Sequence, residues 1–244
     1  VAAVEGEASP DLAGEAEEIQ WVAFGQIERI VDFFRAHGVT QAAMAGGVTK
    51  ANLLRSFKPD ARILAALARL STLNDDTALR ALAAEFERDG ILIRPSTLYT
   101  PELLAPPGVL TQRPLAPNEA TDADFGWNMA RAIGNLDIGQ CVVVKNRSVV
   151  AVEAVEGTDE AIRRGGRLAG PGAVVVKTAK PSQDLRFDMP TVGAGTVAVM
   201  AEVKAAALVI EAARTLIFDR AEMIAAANQA GVSIVARTGG DGHA

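Results

Sequence analysis

The chain has one cysteine, Cys141, and two histidines, His37 and His243, among its 244 residues. A single cysteine excludes an internal disulfide and a cysteine-rich zinc site. Cys141 heads the apolar run Cys141-Val142-Val143-Val144 and reads as a buried strand residue, not a nucleophile. His37 stands in Arg35-Ala36-His37-Gly38, a helix C-terminus where a polar or cationic side chain suits the dipole, and His243 lies in a glycine-containing tail. Neither a Ser-His-Asp or Cys-His triad nor a histidine metal cage is in view. Catalysis, if present, rests on carboxylates, hydroxyls, Lys, Arg and backbone amides.

Basic surplus is also lacking. The net charge is −6 and no Lys/Arg run occurs, which argues against a nucleic-acid partner. No stretch reaches the roughly 18 apolar residues of a membrane span; the best, Val197 to Ala213, is broken by Glu202, Lys204 and Glu211. Val1 to Glu18 is acidic, unlike the basic-then-apolar order of a signal peptide, so the expected location is cytoplasmic.

What the sequence does have is ordinary globular composition, 49% hydrophobic and 22% charged. Its length suits one large or two modest domains. Phe24, Ile27, Ile30, Val31 and Phe34 recur at helical steps, with Gly38 closing the helix. Strand Gln41 to Ala45 runs into Gly46-Gly47, the pattern of a βα turn. Helical patterns follow at Ala61 to Leu70 and Asp76 to Glu87, then a strand at Ile91-Leu92-Ile93. The alternation predicts a Rossmann-like N-terminal domain over residues 1–96.

Pro95, Pro101, Pro106, Pro107, Pro114 and Pro117 then mark a connection, placed at 97–117. A mixed α/β domain is predicted over 118–237. Its elements are a helix Thr121 to Gly134, strands Cys141 to Lys145 and Ser148 to Ala154 around an Asn146-Arg147 turn, and a helix from Thr158. Beyond these come strand Ala173 to Lys177, helix Val197 to Ala206, strand Leu208 to Ile210, helix Arg220 to Ala230 and strand Val232 to Ala236. Leu216-Ile217-Phe218 is a candidate for one more strand, and residues 238–244 read as a flexible tail.

Three segments are candidates for chemistry. In Glu153-Ala154-Val155-Glu156-Gly157-Thr158-Asp159, a turn at Gly157 leads into a helix that Thr158 would cap. Its free amides suit phosphate, and Glu156 and Asp159 suit a hard cation; an ordinary capped helix with acids at its dipole is the alternative. The segment from Lys177 to Gly193 gathers Lys177, Lys180, Asp184, Arg186 and Asp188 with Thr178, Ser182 and Thr191, and holds Asp188 between Phe187 and Met189-Pro190. A carboxylate held so rigidly suits water or metal binding, the alternative being a loop of mutually paired charges. Ala45-Gly46-Gly47-Val48-Thr49-Lys50 matches neither a Walker sequence nor G-x-G-x-x-G, and Asn74-Asp75-Asp76 reads first as a helix cap.

Together, Asp137-Ile138-Gly139-Gln140, Val152 to Asp159, Lys180-Pro181 and Phe187-Asp188-Met189-Pro190-Thr191-Val192-Gly193 occur in the order and spacing of LpxI-type UDP-2,3-diacylglucosamine pyrophosphatases. The resemblance extends to Ala45-Gly46-Gly47-Val48 and Asn74-Asp75-Asp76 and covers about Phe24 to Ala236. It implies two α/β domains with the active site in the cleft. The implied reaction is hydrolysis of UDP-2,3-diacylglucosamine to UMP and 2,3-diacylglucosamine 1-phosphate (lipid X) in lipid A synthesis.

It further implies a divalent metal, normally Mg²⁺; the all-oxygen candidate set suits Mg²⁺ or Mn²⁺, expected on Asp188 with help from Glu156 or Asp159, and Asp188 is the expected catalytic carboxylate. Gly46, Gly47, Asp76, Gln140, Gly157, Thr158, Lys180, Thr191 and Gly193 are the expected substrate-binding positions. Leu103, Leu104 and Leu110 are candidates to receive acyl chains. Transient contact with the inner-membrane surface and a homodimer are compatible expectations. Members of this group open with a strand and a glycine-rich turn that this chain does not show; Val1 to Gly6 resembles the second strand of that domain, so a preceding segment is expected. The competing readings are a UDP-sugar or lipid carrier without turnover and a sugar-nucleotide oxidoreductase, the latter weakened by the absence of G-x-G-x-x-G and of any tyrosine besides Tyr99.

Overall fold

The computed structural model describes residues 1–47, 57–70, 75–181 and 183–239. Val48-Thr49-Lys50, Asn74, Ser182, His243 and the tail from 240 lie outside the described residues, as do the side chains of Asp75 and Asp76. The chain forms two compact units. The first holds Val1–Leu98 with Arg186–Asp188, and the second holds Tyr99–Leu185 with Met189–Ala244.

In the first unit, β1 (Ala2–Val4) and β2 (Gln20–Val22) pair in parallel across helix α1 (Leu12–Glu15). Helix α2 (Ile27–Ala36) follows, with Ile27 and Val31 buried and Gly38 at a φ of 64° just past its end. Phe24, expected on this helix, precedes it. Strands β3 (Gln41–Ala43) and β4 (Leu92–Arg94) also pair in parallel, connected through α3 (Ala61–Leu67) and α4 (Asp75–Glu87). The Asp60 carboxylate accepts the Ile63 amide at 2.9 Å and the Glu28 amide at 2.7 Å, so one N-cap serves the starts of both α3 and α2. Among the described residues the strands of this unit form two separate two-stranded sheets.

Ile27, Val31, Ile63, Ala83, Phe86, Ile91 and Ile93 make the core of the first unit, and Phe187 packs against it. Arg186 pairs with Glu87 at 3.0 Å. Those two contacts explain why Arg186–Asp188, expected inside the second domain, is counted with the first.

The second unit is built on a six-stranded sheet. Its strands are β5 (Gly108–Val109), β6 (Cys141–Lys145), β7 (Ser148–Val152), β8 (Val174–Lys177), β10 (Ala207–Glu211) and β12 (Ser233–Arg237), in the order β5-β12-β10-β8-β6-β7. The three central neighbours β12, β10 and β8 are parallel, while β6 runs antiparallel to β8. A two-stranded ladder of β9 (Thr191–Val192) and β11 (Leu216–Ile217) bears out the extra strand considered at Leu216. Helix α5 (Pro117–Asn135) covers one face through Ala123, Trp127 and Ala130. Helices α6 (Thr158–Ala169), α7 (Ala194–Glu202) and α8 (Arg220–Ala230) cover the other, where Ile162, Val197, Met200, Met223 and Ala227 meet Val143, Val175, Leu208 and Ile234.

Several local expectations shift. The proline-rich stretch is not irregular throughout: Gly108–Val109 pairs antiparallel with β12, and Leu110 packs against the core. Pro117 is the first residue of α5, where its missing N–H is no loss, so that helix starts before the expected Thr121. Glu119 secures this start by accepting the Ala116 amide at 2.8 Å and pairing with Arg113 at 2.7 Å. Helix α7 begins at Ala194 instead of Val197 and ends at Glu202. The Asn146-Arg147 hairpin forms with φ values of 51° and 57°, the geometry of a type I′ turn, and Asp122 of α5 accepts both of its amides. Close helix–sheet approach depends on glycine. A Cβ at Gly165 would stand 2.6 Å from Val143, at Gly166 2.3 Å from Val203 and at Gly126 2.7 Å from Val176.

Candidate active site at the carboxyl edge of the sheet

Parallel strands expose their carboxyl ends along one edge, the usual place for a ligand in an α/β sheet. In the second unit that edge is formed by Lys177, Glu211 and Arg237, the last residues of β8, β10 and β12. Because β6 is antiparallel, Cys141 pairs with Lys177 and brings Gln140 to the same edge, and Glu153, just past β7, donates its amide to the Cys141 carbonyl at 2.9 Å. Glu153, Lys177, Thr178, Glu211 and Thr215 are all buried, although each is polar or charged. Buried polar groups concentrated at one end of a sheet make that edge the candidate site.

The β7–α6 turn contributes the first cluster. Gly157, at a φ of 86°, is the N-cap of α6. The expected cap, Thr158, is instead the first helical residue, and its hydroxyl donates to Glu153 Oε1 at 2.7 Å. The Gln140 amide donates to the other Glu153 oxygen at 3.3 Å, while the Gln140 carbonyl accepts the Thr178 amide at 3.0 Å. Gln140, Glu153, Thr158 and Thr178 are therefore one connected group. Asp159 and Glu160 occupy the first turn of α6, so an uncompensated phosphate there would meet carboxylates. The start of α7, capped by Gly193 in extended conformation, has no acid in its first turn and suits an anion better.

Lys177 donates to the Thr191 carbonyl at 2.9 Å, and the Thr191 hydroxyl to the Met189 carbonyl at 3.1 Å, which fixes the strand leading to Gly193. Lys180, in the loop after β8, lies 2.6 Å from Asp137 Oδ1, and its backbone exchanges hydrogen bonds with Gln183 at 3.0 Å in each direction. Glu211 accepts the Ala179 amide at 3.0 Å.

The three expected metal ligands fare differently. Glu156 is committed to the guanidinium of Arg164 and to the Ala154 amide. Its carboxyl is held below the usual range first by its own backbone amide and by Arg164, then by the Ala154 amide, against the opposing effect of burial. Asp159 is exposed on the first turn of α6, and Asp188 belongs to the first unit. Among the described residues no three His, Cys, Asp or Glu side chains converge on a point that would hold a metal ion. Within each unit, then, no cluster of described carboxylates forms a preassembled cation site. Cys141 is fully buried, and burial, followed by the nearby Glu153 charge, pushes its thiol far up the scale, as suits a structural residue.

Of the positions expected to touch a nucleotide, Gly46 follows β3 in the first unit at a φ of 92°, which favours glycine, and Gly47 is next to it in the chain. Asp76 lies in the first turn of α4. Sequence reasoning did not single out Glu211, Arg131 or Arg214. The available signal was that Lys177 and Glu211 each end a run of apolar strand residues, where an ionisable side chain is costly without a purpose.

The class these features define is a two-domain α/β protein with its polar side chains gathered at the carboxyl edge of the second domain. Residues 1–103 match the LpxI N-terminal domain and residues 106–235 the LpxI C-terminal domain, and the chain belongs to the LpxI family. Over 225 residues it is 36% identical to the UDP-2,3-diacylglucosamine pyrophosphatase LpxI of Caulobacter vibrioides, a match covering 88% of this chain and 80% of that protein.

Proposed function

We propose that this chain hydrolyses the pyrophosphate bond of UDP-2,3-diacylglucosamine to UMP and 2,3-diacylglucosamine 1-phosphate, a step of lipid A synthesis. The observation that carries the reading is the 36% identity to a pyrophosphatase of that name across 88% of the chain. The buried polar edge of the second unit supports it, since anhydride hydrolysis needs fixed donors for developing phosphoryl charge. On this reading the Lys180 ammonium and the amides at Gly193 bind phosphoryl oxygens, Thr191 and Gln140 hold the surrounding backbone, and Asp188 is the carboxylate that orients water. The turn at Gly157-Thr158 joins this set as a scaffold for Glu153. Gly46, Gly47 and Asp76 belong to nucleotide binding in a first unit read as Rossmann-like.

A divalent cation, Mg²⁺ or Mn²⁺, enters the same proposal as a companion of the substrate pyrophosphate, because the described carboxylates form no preassembled cage. Transient contact with a membrane surface follows from the two acyl chains of the substrate; no described helix is long and apolar enough to cross a membrane. Phosphorus NMR of UDP-2,3-diacylglucosamine with the protein and Mg²⁺ tests the activity. UMP and sugar 1-phosphate resonances should replace the pyrophosphate pair. Unchanged resonances with saturable binding would overturn hydrolysis in favour of a carrier.

A further inference from the structure

Glu211 ends β10 with 1% of its surface exposed. Burying a carboxylate costs several kcal/mol unless close partners compensate. Its hydrogen-bond donor among the described residues is the Ala179 amide, at 3.0 Å to Oε2. Toward Oε1 stand two guanidinium groups, Arg131 Nη1 of α5 at 3.9 Å and Arg214 Nε of the turn after β10 at 3.7 Å. Both distances are within ion-pair range and beyond hydrogen bonding. In the same unit Arg113 closes on Glu119 at 2.7 Å, so a tight pair is available to this fold where one is used.

Arg131 and Arg214 are thus held near Glu211 without being consumed by it. Their side chains are 37% and 33% exposed, and the buried Arg214 Nε has no hydrogen-bond partner among the described residues. Two guanidinium charges face one carboxylate, a surplus of one positive charge. Of the neighbouring cations, Lys180 is matched by Asp137 and Arg237 by Asp124 at 2.6 Å, while the buried Lys177 is held by the Thr191 carbonyl. Among the described residues the buried hydroxyls of Thr178 and Thr215 are without partners as well. The chain leaving β12 crosses the same group, for a Cβ at Gly239 would stand 3.0 Å from Glu211 Oε1 and 3.8 Å from Arg131 Nη1.

We propose that Arg131 and Arg214, poised by the buried Glu211 carboxylate, form a seat for a dianionic phosphoryl group at the carboxyl edge of the second unit. A guanidinium fork with free N–H groups matches phosphate oxygens in pairs. The inference rests on the pyrophosphatase reading for its natural ligand, a phosphomonoester product or the pyrophosphate itself. Glu211 acts as a positioning residue, setting the two guanidinium groups and, through Ala179, the loop that carries Lys180.

The test is calorimetric titration of the full chain with inorganic phosphate, UMP and glucosamine 1-phosphate as separate probes, for wild type, Arg131→Gln, Arg214→Gln and Arg214→Lys. At least one probe should bind wild type, and each Gln variant should weaken it about tenfold or more, the loss of one charge-assisted contact. Arg214→Lys should fall between, keeping charge but not the fork. UMP alone responding would assign the seat to the nucleotide phosphate, and glucosamine 1-phosphate alone to the sugar phosphate. No binding of any probe to wild type, or equal binding by folded Gln variants, would overturn the seat. Arg131 and Arg214 are both partly exposed, so their substitution leaves a folded chain in which binding is read. Arginine-dependent binding without turnover of UDP-2,3-diacylglucosamine would refute the pyrophosphatase reading and leave the seat standing.

Discussion

The Thr158 hydroxyl donates a 2.7 Å hydrogen bond to Oε1 of the buried Glu153, tying the first turn of α6 to the residue that follows β7. Removing the donor leaves a buried carboxylate oxygen short of a partner. Thr158→Val is expected to cost about 1–3 kcal/mol of unfolding free energy in urea titration, whereas Thr158→Ser, which keeps the hydroxyl, should recover most of it. Equal stability of the Val variant and wild type would show that the contact is not maintained in solution.

Lys180 and Asp137 form a partly exposed pair, and such pairs contribute at most about 1 kcal/mol to stability. Lys180→Met should therefore leave the melting temperature nearly unchanged while lowering kcat/KM by roughly a hundredfold, on the order of an oxyanion-type donor. Asp137→Asn, which spares the ammonium, should stay within a few-fold of wild type. If the two variants lose activity equally, the pair acts as a unit and Lys180 has no separate role.

Asp188 sits between Phe187, packed on the core of the first unit, and Pro190. Asp188→Asn preserves shape and removes charge. Turnover should fall by at least roughly a hundredfold while substrate binding, measured with the same variant by calorimetry, persists. A folded variant with nearly normal kcat would make Asp188 structural and turn attention to Glu153 and Asp159.

Glu156 is held below its ordinary value of 4.5, first by its own amide and then by Arg164 and the Ala154 amide. A carboxyl depressed in the folded state contributes stability that is complete above 4.5 and is lost as pH falls through the lower folded value. Glu156→Gln should consequently flatten the acid limb of the stability–pH curve below that point and change little at neutral pH. The effect will be small, because the group is solvent-exposed. An acid limb unchanged by the substitution would mean the Arg164 contact is not populated.

Much of the fold was legible because its signals are local. The run Ala173 to Lys177, the Asn146-Arg147 turn and the helix from Arg220 to Ala230 closing at Gly231 can each be read within a dozen residues, and each forms where expected. Helix starts were less legible: Pro117 and Ala194 lie in segments whose proline or glycine content hides a helix until its cap is known. The candidate site was legible only where its residues fall in short polar or glycine-containing strings. Gln140, Glu153, Thr158 and Lys180 were within reach of pattern reading. Glu211 was not: it closes an apolar strand run, and nothing local shows that Ala179 and Arg131 meet it there. The surroundings of Glu156 were hidden for a related reason. A carboxylate that looks free in sequence, such as Glu156, meets an arginine two helical turns onward once the turn at Gly157 is formed.

Cys141, sealed in β6 and the chain's only thiol, gives the second unit a chemical clock. A neutral alkylating reagent can reach its sulfur only when the strands around it part, and the first unit has no cysteine to contribute background. The rate of modification thus reads out how often this sheet opens, for wild type and for every variant discussed above. Ligand that closes the carboxyl edge should slow it, which makes one buried sulfur a reporter of occupancy.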